Sequence, residues 1–237
     1  MHRVFVDTID EKRATAGAEE AHHMKRVLRL KPGDPVEMLD GRGGLWSGAI
    51  GELDEKSARM EVTDTLPNRE PRLRVTLYQG VARGERMDYT VQKCTEIGVY
   101  AIICVEMTRS VASLKGAESK LKRLERIARE AAKQCGRSRV PLVEAYTFAE
   151  ALERMKAEPL LLMPWEEGGA TLNAAAEGMG DMAGLIIGPE GGIDAKEARV
   201  FMCVGARPVT LGPRILRTET AGPVTLALLL HMSGDMA

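Results

Sequence analysis

Two spacings of apolar residues divide the chain. Ahead of Leu66 the apolar positions come in short runs broken by glycine- and proline-bearing turns. Arg3 to Val6, Val36 to Leu39, Leu45 to Leu53 and Ala58 to Val62 read as strands. Lys31-Pro32-Gly33-Asp34 reads as a turn and Asp40-Gly41-Arg42-Gly43-Gly44 as a hairpin. Ala18 to Leu30 is a helix-like insertion, with Val27, Leu28 and Leu30 apolar between Lys25, Arg26 and Arg29. Closely spaced short strands of this kind predict a small barrel.

Leu66-Pro67-Asn68-Arg69-Glu70-Pro71-Arg72 carries two prolines within a charge run and reads as a linker, which sets domains of residues 1–70 and 71–237. Beyond it strands and helices alternate. Strands are predicted at Leu73 to Gln79, Ala101 to Val105, around Val143, Leu160 to Met163, Leu185 to Ile187 and Pro208 to Leu211. Helices are predicted at Arg86 to Ile97, Ser119 to Gln134, Phe148 to Met155, Thr171 to Ala176, Ala195 to Met202 and Ala221 to His231. In Ser119 to Gln134 the residues Leu121, Leu124, Ile127, Ala128 and Ala131 recur at helical spacing. This alternation predicts an α/β domain with a mostly parallel sheet.

With 44% hydrophobic and 28% charged residues, the composition is that of an ordinary globular protein, and no apolar run reaches the length of a membrane helix. Met1-His2-Arg3-Val4-Phe5-Val6 enters a strand pattern at once, so no signal peptide is read there. Cys94, Cys104, Cys135 and Cys203 are widely spaced without a Cys-x-x-Cys pair, as expected of reduced thiols in the cytoplasm. His22-His23 has no acidic or cysteine partner at ligand spacing, and no metal site is expected. The net charge of −1 conceals an uneven distribution. Residues 1–70 hold 11 Lys/Arg against 14 Asp/Glu (−3), residues 71–140 hold 15 against 7 (+8), and residues 141–237 hold 7 against 13 (−6). A basic middle third suits a phosphate-binding face. The alternative is that the run from Lys115 to Arg129 is a solvated helix face.

The chemistry gathers between Leu185 and Leu230. Two apolar runs each end in a Gly-Pro turn followed by helix-compatible sequence: Leu185-Ile186-Ile187-Gly188-Pro189-Glu190-Gly191-Gly192, and Val209-Thr210-Leu211-Gly212-Pro213-Arg214. Gly191 and Gly192 permit positive φ and close approach of backbone to a ligand. In open α/β sheets ligands bind outside the carboxyl ends of the strands, where such loops collect. There is no Gly-x-Gly-x-x-Gly and no Gly-Lys-Ser/Thr, so the dinucleotide and P-loop signatures are absent. With no Lys or Arg following to grip phosphate, the Gly-Pro-Glu-Gly-Gly loop suits a ligand held by backbone groups.

Gly188 to Gly192 followed by Leu211-Gly212-Pro213-Arg214-Ile215-Leu216-Arg217-Thr218-Glu219-Thr220-Ala221 resembles the signature of the ribosomal small subunit RNA methyltransferase E family, part of the SPOUT superfamily. Two further stretches match in order: Gly84-Glu85-Arg86-Met87-Asp88 through Gln92 to Val99, and Glu130 to Arg137. The resemblance spans nearly the whole chain. It implies a SPOUT-type trefoil-knotted parallel-sheet domain behind an N-terminal PUA-like β-barrel, a knot that topology rules alone would not suggest. It implies S-adenosylmethionine as methyl donor without a metal, N3 of a uridine in 16S ribosomal RNA as target, the small ribosomal subunit as context, and a homodimer.

By the same resemblance the loops after Met163, Ile187 and Leu211 form the cofactor pocket, with Met163, Gly188, Glu190, Gly191, Leu211, Gly212, Ile215, Leu216 and Thr220 as binding residues. The RNA-binding candidates are Arg3, His23, Lys25, Arg26, Arg29, Arg86, Lys93 and Arg139, with His22 and Arg42 beside them. Uridine N3 must lose a proton before it attacks, so a cation aimed at the flanking carbonyl oxygens and a base within reach are required. Arg137 and Arg217 are the cation candidates and Glu190 and Glu219 the base candidates; turn hydrogen bonding and helix capping are the plainer uses of the two acids. Arg83 replaces a usual Lys, Ile97 a usual Leu, and Gly222-Pro223 a small-residue pair, which leads us to expect the last helix to start near that proline. Alternatives are a SPOUT enzyme acting at another RNA atom, or an inactive RNA-binding assembly factor.

Overall fold

In a computed structural model, which describes residues 1–111, 113 and 118–236, the alternating first part of the chain becomes a curled six-stranded sheet. Its strands are β1 (His2–Phe5), β2 (Thr8–Ile9), β3 (Arg13–Ala16), β4 (Pro35–Leu39), β5 (Leu45–Leu53) and β6 (Ala58–Thr65), in the order β1-β4-β5-β6-β3-β2. Val4 and Val6, Ala14 and Ala16, Val36 and Met38, and Ala58 and Met60 share one buried cluster, because every second residue of a strand faces the same side. Register shifts between β5 and β6 at Ser47/Gly48 and Ile50/Glu52 bend the ribbon. The curl closes at two consecutive residues: the Val6 N–H donates to the Leu39 carbonyl and the Asp7 N–H to the Thr15 carbonyl.

Strands β2 and β3 were not legible as an apolar run, since Thr-Ile and Arg-Ala-Thr-Ala carry little apolar bulk. Pairing with β6, and the Asp10 carboxylate accepting from the N–H groups of Lys12 and Arg13, create the hairpin. The insertion is α1 (Ala18–His22) continued by a wider π turn over His23–Val27. Residues Glu130–Val140 belong to this compact unit together with Met1–Glu70; Ala132 and Val140 pack with Phe5, Leu39, Leu45 and Leu66.

The second unit is the alternating α/β sequence. It contains β7 (Arg74–Gly80), α2 (Glu85–Ile97), β8 (Ala101–Val105), the first part of α3 (Glu118–Cys135), β9 (Leu142–Tyr146), α4 (Phe148–Met155), β10 (Leu161–Pro164), β11 (Ala170–Thr171), α5 (Leu172–Ala175), β12 (Met182–Ile187), α6 (Ala195–Cys203), β13 (Ala206–Thr210) and α7 (Thr218–Met232). The sheet runs β11-β13-β10-β12-β7-β8-β9, every pair parallel. Helices cover it, so its central strands are apolar on both faces, as in β8, where all five residues are buried. Both the curled sheet and the layered α/β sheet are the architecture expected from the chain's two apolar spacings. The basic helix α3 exposes Lys120, Lys122, Arg123 and Arg126 and buries Leu124 and Ala128; Lys115 lies outside the described residues. No helix among the described residues is long and apolar enough to cross a membrane.

Helix α7 departs from the expected start. It begins at Thr218, with Thr220 and Ala221 donating to the carbonyl of Arg217, so Pro223 falls in its second turn rather than its first. A proline there leaves the Glu219 carbonyl without its usual helical donor. Burial outweighs that loss, because Gly222, Pro223, Leu226, Leu229 and Leu230 are all buried.

The entry into β7 is fixed by Asp235. Its carboxylate accepts from the N–H groups of Arg72 and Leu73, both at 3.0 Å, and from the Ser233 hydroxyl at 2.8 Å. Burial opposes ionisation, but these bonds and the nearby Arg72 charge hold the Asp235 carboxyl below its ordinary range. A depressed folded value means stability that is present above the unfolded pKa and lost as pH falls through the folded one. Asp235→Asn is therefore expected to lower stability by about 1–3 kcal/mol at neutral pH. In urea titrations the deficit against wild type should shrink as pH falls below about 4.

Candidate functional site

Three loops leave the carboxyl ends of the neighbouring strands β13, β10 and β12 and enclose two adjoining clefts. One, of ≈230 Å³, is lined by Pro164, Trp165, Glu166, Leu211 to Leu216 and Ala221. The other, of ≈350 Å³, is lined by Glu166, Ile187 to Ile193, Ile215 to Thr218 and Ala221. Together they have the scale of a site for a cofactor-sized ligand, roughly 300–1,000 Å³.

Of the expected cofactor residues, Gly188, Glu190, Gly191, Leu211, Gly212, Ile215 and Leu216 line these clefts. Met163 does not; its side chain is wholly buried in the core and Pro164 forms the wall instead. Thr220 lies one residue short of the lining Ala221. Ile215 is 85% exposed, an apolar side chain presented at the mouth rather than in the core. Gly192 has φ 72° and takes the Glu166 carboxylate directly over it; a Cβ there would overlap Oε1. Gly191 is needed for a different reason: its Cβ would meet the Cβ of Arg109 at 2.9 Å.

The Gly188 to Gly192 loop is held from three sides. The Gln79 amide is fully buried, and its Nε2 donates to the Gly80 carbonyl (3.0 Å) and to Thr218 Oγ1 (2.9 Å). Thr218 Oγ1 in turn donates to the Gly188 carbonyl at 2.6 Å. Glu190 Oε1 accepts from the Arg83 N–H and from Arg86 Nη1, both at 2.8 Å. Arg109 Nη1 donates to the Gly191 carbonyl at 2.9 Å, and the preceding Thr108 gives its N–H and hydroxyl to the buried Glu197. Burial works against the charge on Glu190, but the Arg83 N–H, its own backbone and the Arg86 guanidinium hold its carboxyl below the ordinary range. Glu219 stands in the first turn of α7, 3.7 Å from Arg86 Nε, with Oε2 buried and accepting no hydrogen bond among the described residues. Arg217 lines the larger cleft and is exposed.

The other candidates are placed as follows. Arg86 is shared between Glu190 and Glu219, and Lys93 pairs with Glu96 at 2.9 Å. In the first unit, Arg137 forms an ion pair with Glu70 at 2.6 Å, and their side chains are only 7% and 9% exposed. The Arg139 N–H donates to the same carboxylate. Arg3 spans Glu37 and the Gln134 carbonyl. Lys25, Arg26 and His22 converge on Glu55, with His23 on the same turn and Arg29 two residues past its end. Arg29 has a left-handed φ of 56°. No cluster of three His, Cys, Asp or Glu side chains suited to a metal stands among the described residues.

Sequence reading missed Trp165, Glu166, Gln79, Arg109 and Thr218. Trp165 and Glu166 had a signal, since they follow an apolar strand as Gly188 follows β12. Gln79 had none: a polar residue at a strand's end looks like an ordinary exit into solvent.

Residues 68–230 match the RNA methyltransferase domain family, and residues 16–63 the RNA methyltransferase PUA domain family. The chain is 34% identical over 229 residues to the ribosomal RNA small subunit methyltransferase E of Synechocystis, covering 94% of this chain and 75% of that one. It is 29% identical to the Bacillus subtilis protein of the same name, covering 98% and 97%. Among solved structures, the ribosomal RNA small subunit methyltransferase E of Neisseria gonorrhoeae bound to S-adenosyl methionine superposes with a TM-score of 0.89 at 30% identity, covering 98% of each chain.

The contact under the Gly188 loop gives a test. A Cβ on Gly80 would lie 2.5 Å from the Pro189 nitrogen, which is backbone and cannot swing aside. Gly80→Ala is expected to destabilise the protein by about 1–3 kcal/mol in denaturant titrations.

Proposed function

Because the chain belongs to the ribosomal RNA small subunit methyltransferase E family, we propose that it transfers a methyl group from S-adenosylmethionine to N3 of one uridine in 16S ribosomal RNA. The observation that carries this reading is the set of three loops at the ends of β13, β10 and β12. Their clefts offer backbone groups and apolar walls but no phosphate cradle. S-adenosylmethionine, when bound, supplies a methyl group on a sulfonium, already an electrophile. Leu211, Ile215 and Leu216 then form its apolar walls, and the backbone of Gly188, Gly191 and Gly212 its polar contacts.

The chain's own work is to place the target nitrogen and to ionise it. Proximity supplies a large share of the rate. The N3 anion spreads charge onto two carbonyl oxygens, and Arg217 is the cation at the cleft wall that meets it. Arg137 is committed to Glu70 in this chain, so using it for the uridine means exchanging that buried partner. Glu190 is committed to Arg83 and Arg86 and held ionised, which makes it a positioning residue for the loop. Glu219, whose Oε2 accepts no hydrogen bond among the described residues, is the group we assign to accept the N3 proton. The target uridine leaves its stack to enter the cleft.

The turn bearing His23, Lys25 and Arg26, with Arg29 past its end, supplies phosphate contacts that position the RNA without specifying the base. The protein acts on the small subunit in the cytoplasm as a homodimer. Val224, Leu228 and Met232 support the dimer: spaced four apart on α7, they are 37%, 42% and 39% exposed.

The test is primer extension on small ribosomal subunits that lack native uridine methylation. A stop at a single uridine that requires S-adenosylmethionine is expected, since an N3 methyl blocks base pairing. Arg217→Ala should lower kcat by about 10²–10³. Methyl incorporation without a stop would move the reaction to another atom. Neither incorporation nor cofactor binding would make the chain an assembly factor. Arg137→Ala must be read with its stability, because removing one member of a buried ion pair costs about 3–5 kcal/mol. Its melting curve is expected to shift sharply downward.

A further inference from the structure

We infer that Glu166 is the residue by which the cleft tells the cationic methyl donor from its neutral product; the inference rests on the cofactor reading above. Glu166 is the one acid that lines both clefts. Its carboxylate lies over Gly192, whose positive φ and missing Cβ make room for it. The neighbouring acids are already balanced, Glu190 by Arg86 and the Arg83 N–H and Asp194 by Arg109 at 3.5 Å. Among the described residues Glu166 forms no ion pair and accepts no hydrogen bond; Arg214 and Arg217 reach the same walls without pairing to it. The shared wall of the two clefts therefore carries a carboxylate that no direct partner among the described residues neutralises.

Methyl transfer changes the charge that this wall faces. The carbon–sulfur bond breaks with its electron pair left on sulfur, so the sulfonium becomes a neutral thioether. The new bond to carbon uses the pair on the uridine nitrogen, and the proton once on that nitrogen has gone to the base. The cofactor loses one positive charge. A carboxylate on the wall attracts the donor more than the product, which favours exchange of one for the other after each turnover. Because Glu166 is exposed, water screens the attraction and the discrimination is expected to be roughly fivefold.

The experiment is calorimetric titration of the full chain with S-adenosylmethionine, with S-adenosylhomocysteine, and with an analogue carrying an amine in place of the sulfonium. Glu166→Gln should weaken the two cationic ligands by about fivefold and the neutral one by less than about twofold. Glu166→Asp, which keeps the charge, should retain most of the preference. Glu167→Gln changes the adjacent acid, which lines neither cleft, and should change nothing. Equal weakening of all three ligands by Glu166→Gln would overturn the inference, giving Glu166 a role with the hydroxyl groups or in shaping the loop. So would three unchanged affinities. If the wild-type chain binds none of the ligands, the cofactor reading itself falls and takes the inference with it. Melting curves of the variants separate a charge effect from a folding defect.

Discussion

The close approach of β7 to the Gly188 loop is the constraint on which the site depends. Gly80 brings the strand against the Pro189 backbone, and the buried Gln79 amide joins the strand to Thr218, and through it to the Gly188 carbonyl. One fully buried side chain thereby fixes the end of β7, the start of α7 and the cofactor loop relative to one another. The network is incomplete, since Gln79 Oε1 has no partner among the described residues. A buried acceptor left unpaired costs about 1–3 kcal/mol. An apolar side chain at residue 79 would avoid that cost but would release Thr218 and the loop, so the amide's value lies in geometry rather than stability.

Electrostatics around the loop follow one rule. Acids that hold structure are neutralised locally: Glu190 by Arg86, Asp194 by Arg109, Asp235 by two backbone N–H groups. The first unit does the same with Glu70 and Arg137. Charges left open, Glu166 and Arg217, stand at the cleft walls. A sequence shows the count of charges but not which ones cancel. This is why Arg86 and Arg137 read in the sequence as open cations, whereas in the structure each has a carboxylate partner.

Strands β5 and β8 and helix α4 fall within the residues that period and turn chemistry assign them. Each is long enough, or sharply enough capped, for local signals to suffice; Thr147 and Glu150, for example, form a reciprocal capping box at α4. The two short strands β2 and β3 were invisible because pairing, not composition, makes them strands. The start of α7 was misplaced because a local rule about proline yielded to burial of the helix face. The cofactor loops were legible as glycine-rich turns after apolar runs. Their third member was legible as a loop after an apolar strand, placed at the pocket by the resemblance, but nothing singled out Trp165 and Glu166 within it.

The order of strands in the second sheet has a consequence for how the protein comes into being. β7 pairs with β8 close by in sequence, but its other neighbour is β12, with Arg74 opposite Met182, a separation of 108 residues (74 to 182). Contacts so distant form slowly, because the intervening chain must first be ordered. During synthesis one edge of β7 stays open until β12 has emerged, an apolar edge that invites pairing with other chains. All three cofactor loops follow β10, so the nascent chain has no binding cleft until the central strand is enclosed. Cofactor therefore stabilises only molecules that have finished the sheet, and mass action draws the late, slow step towards completion.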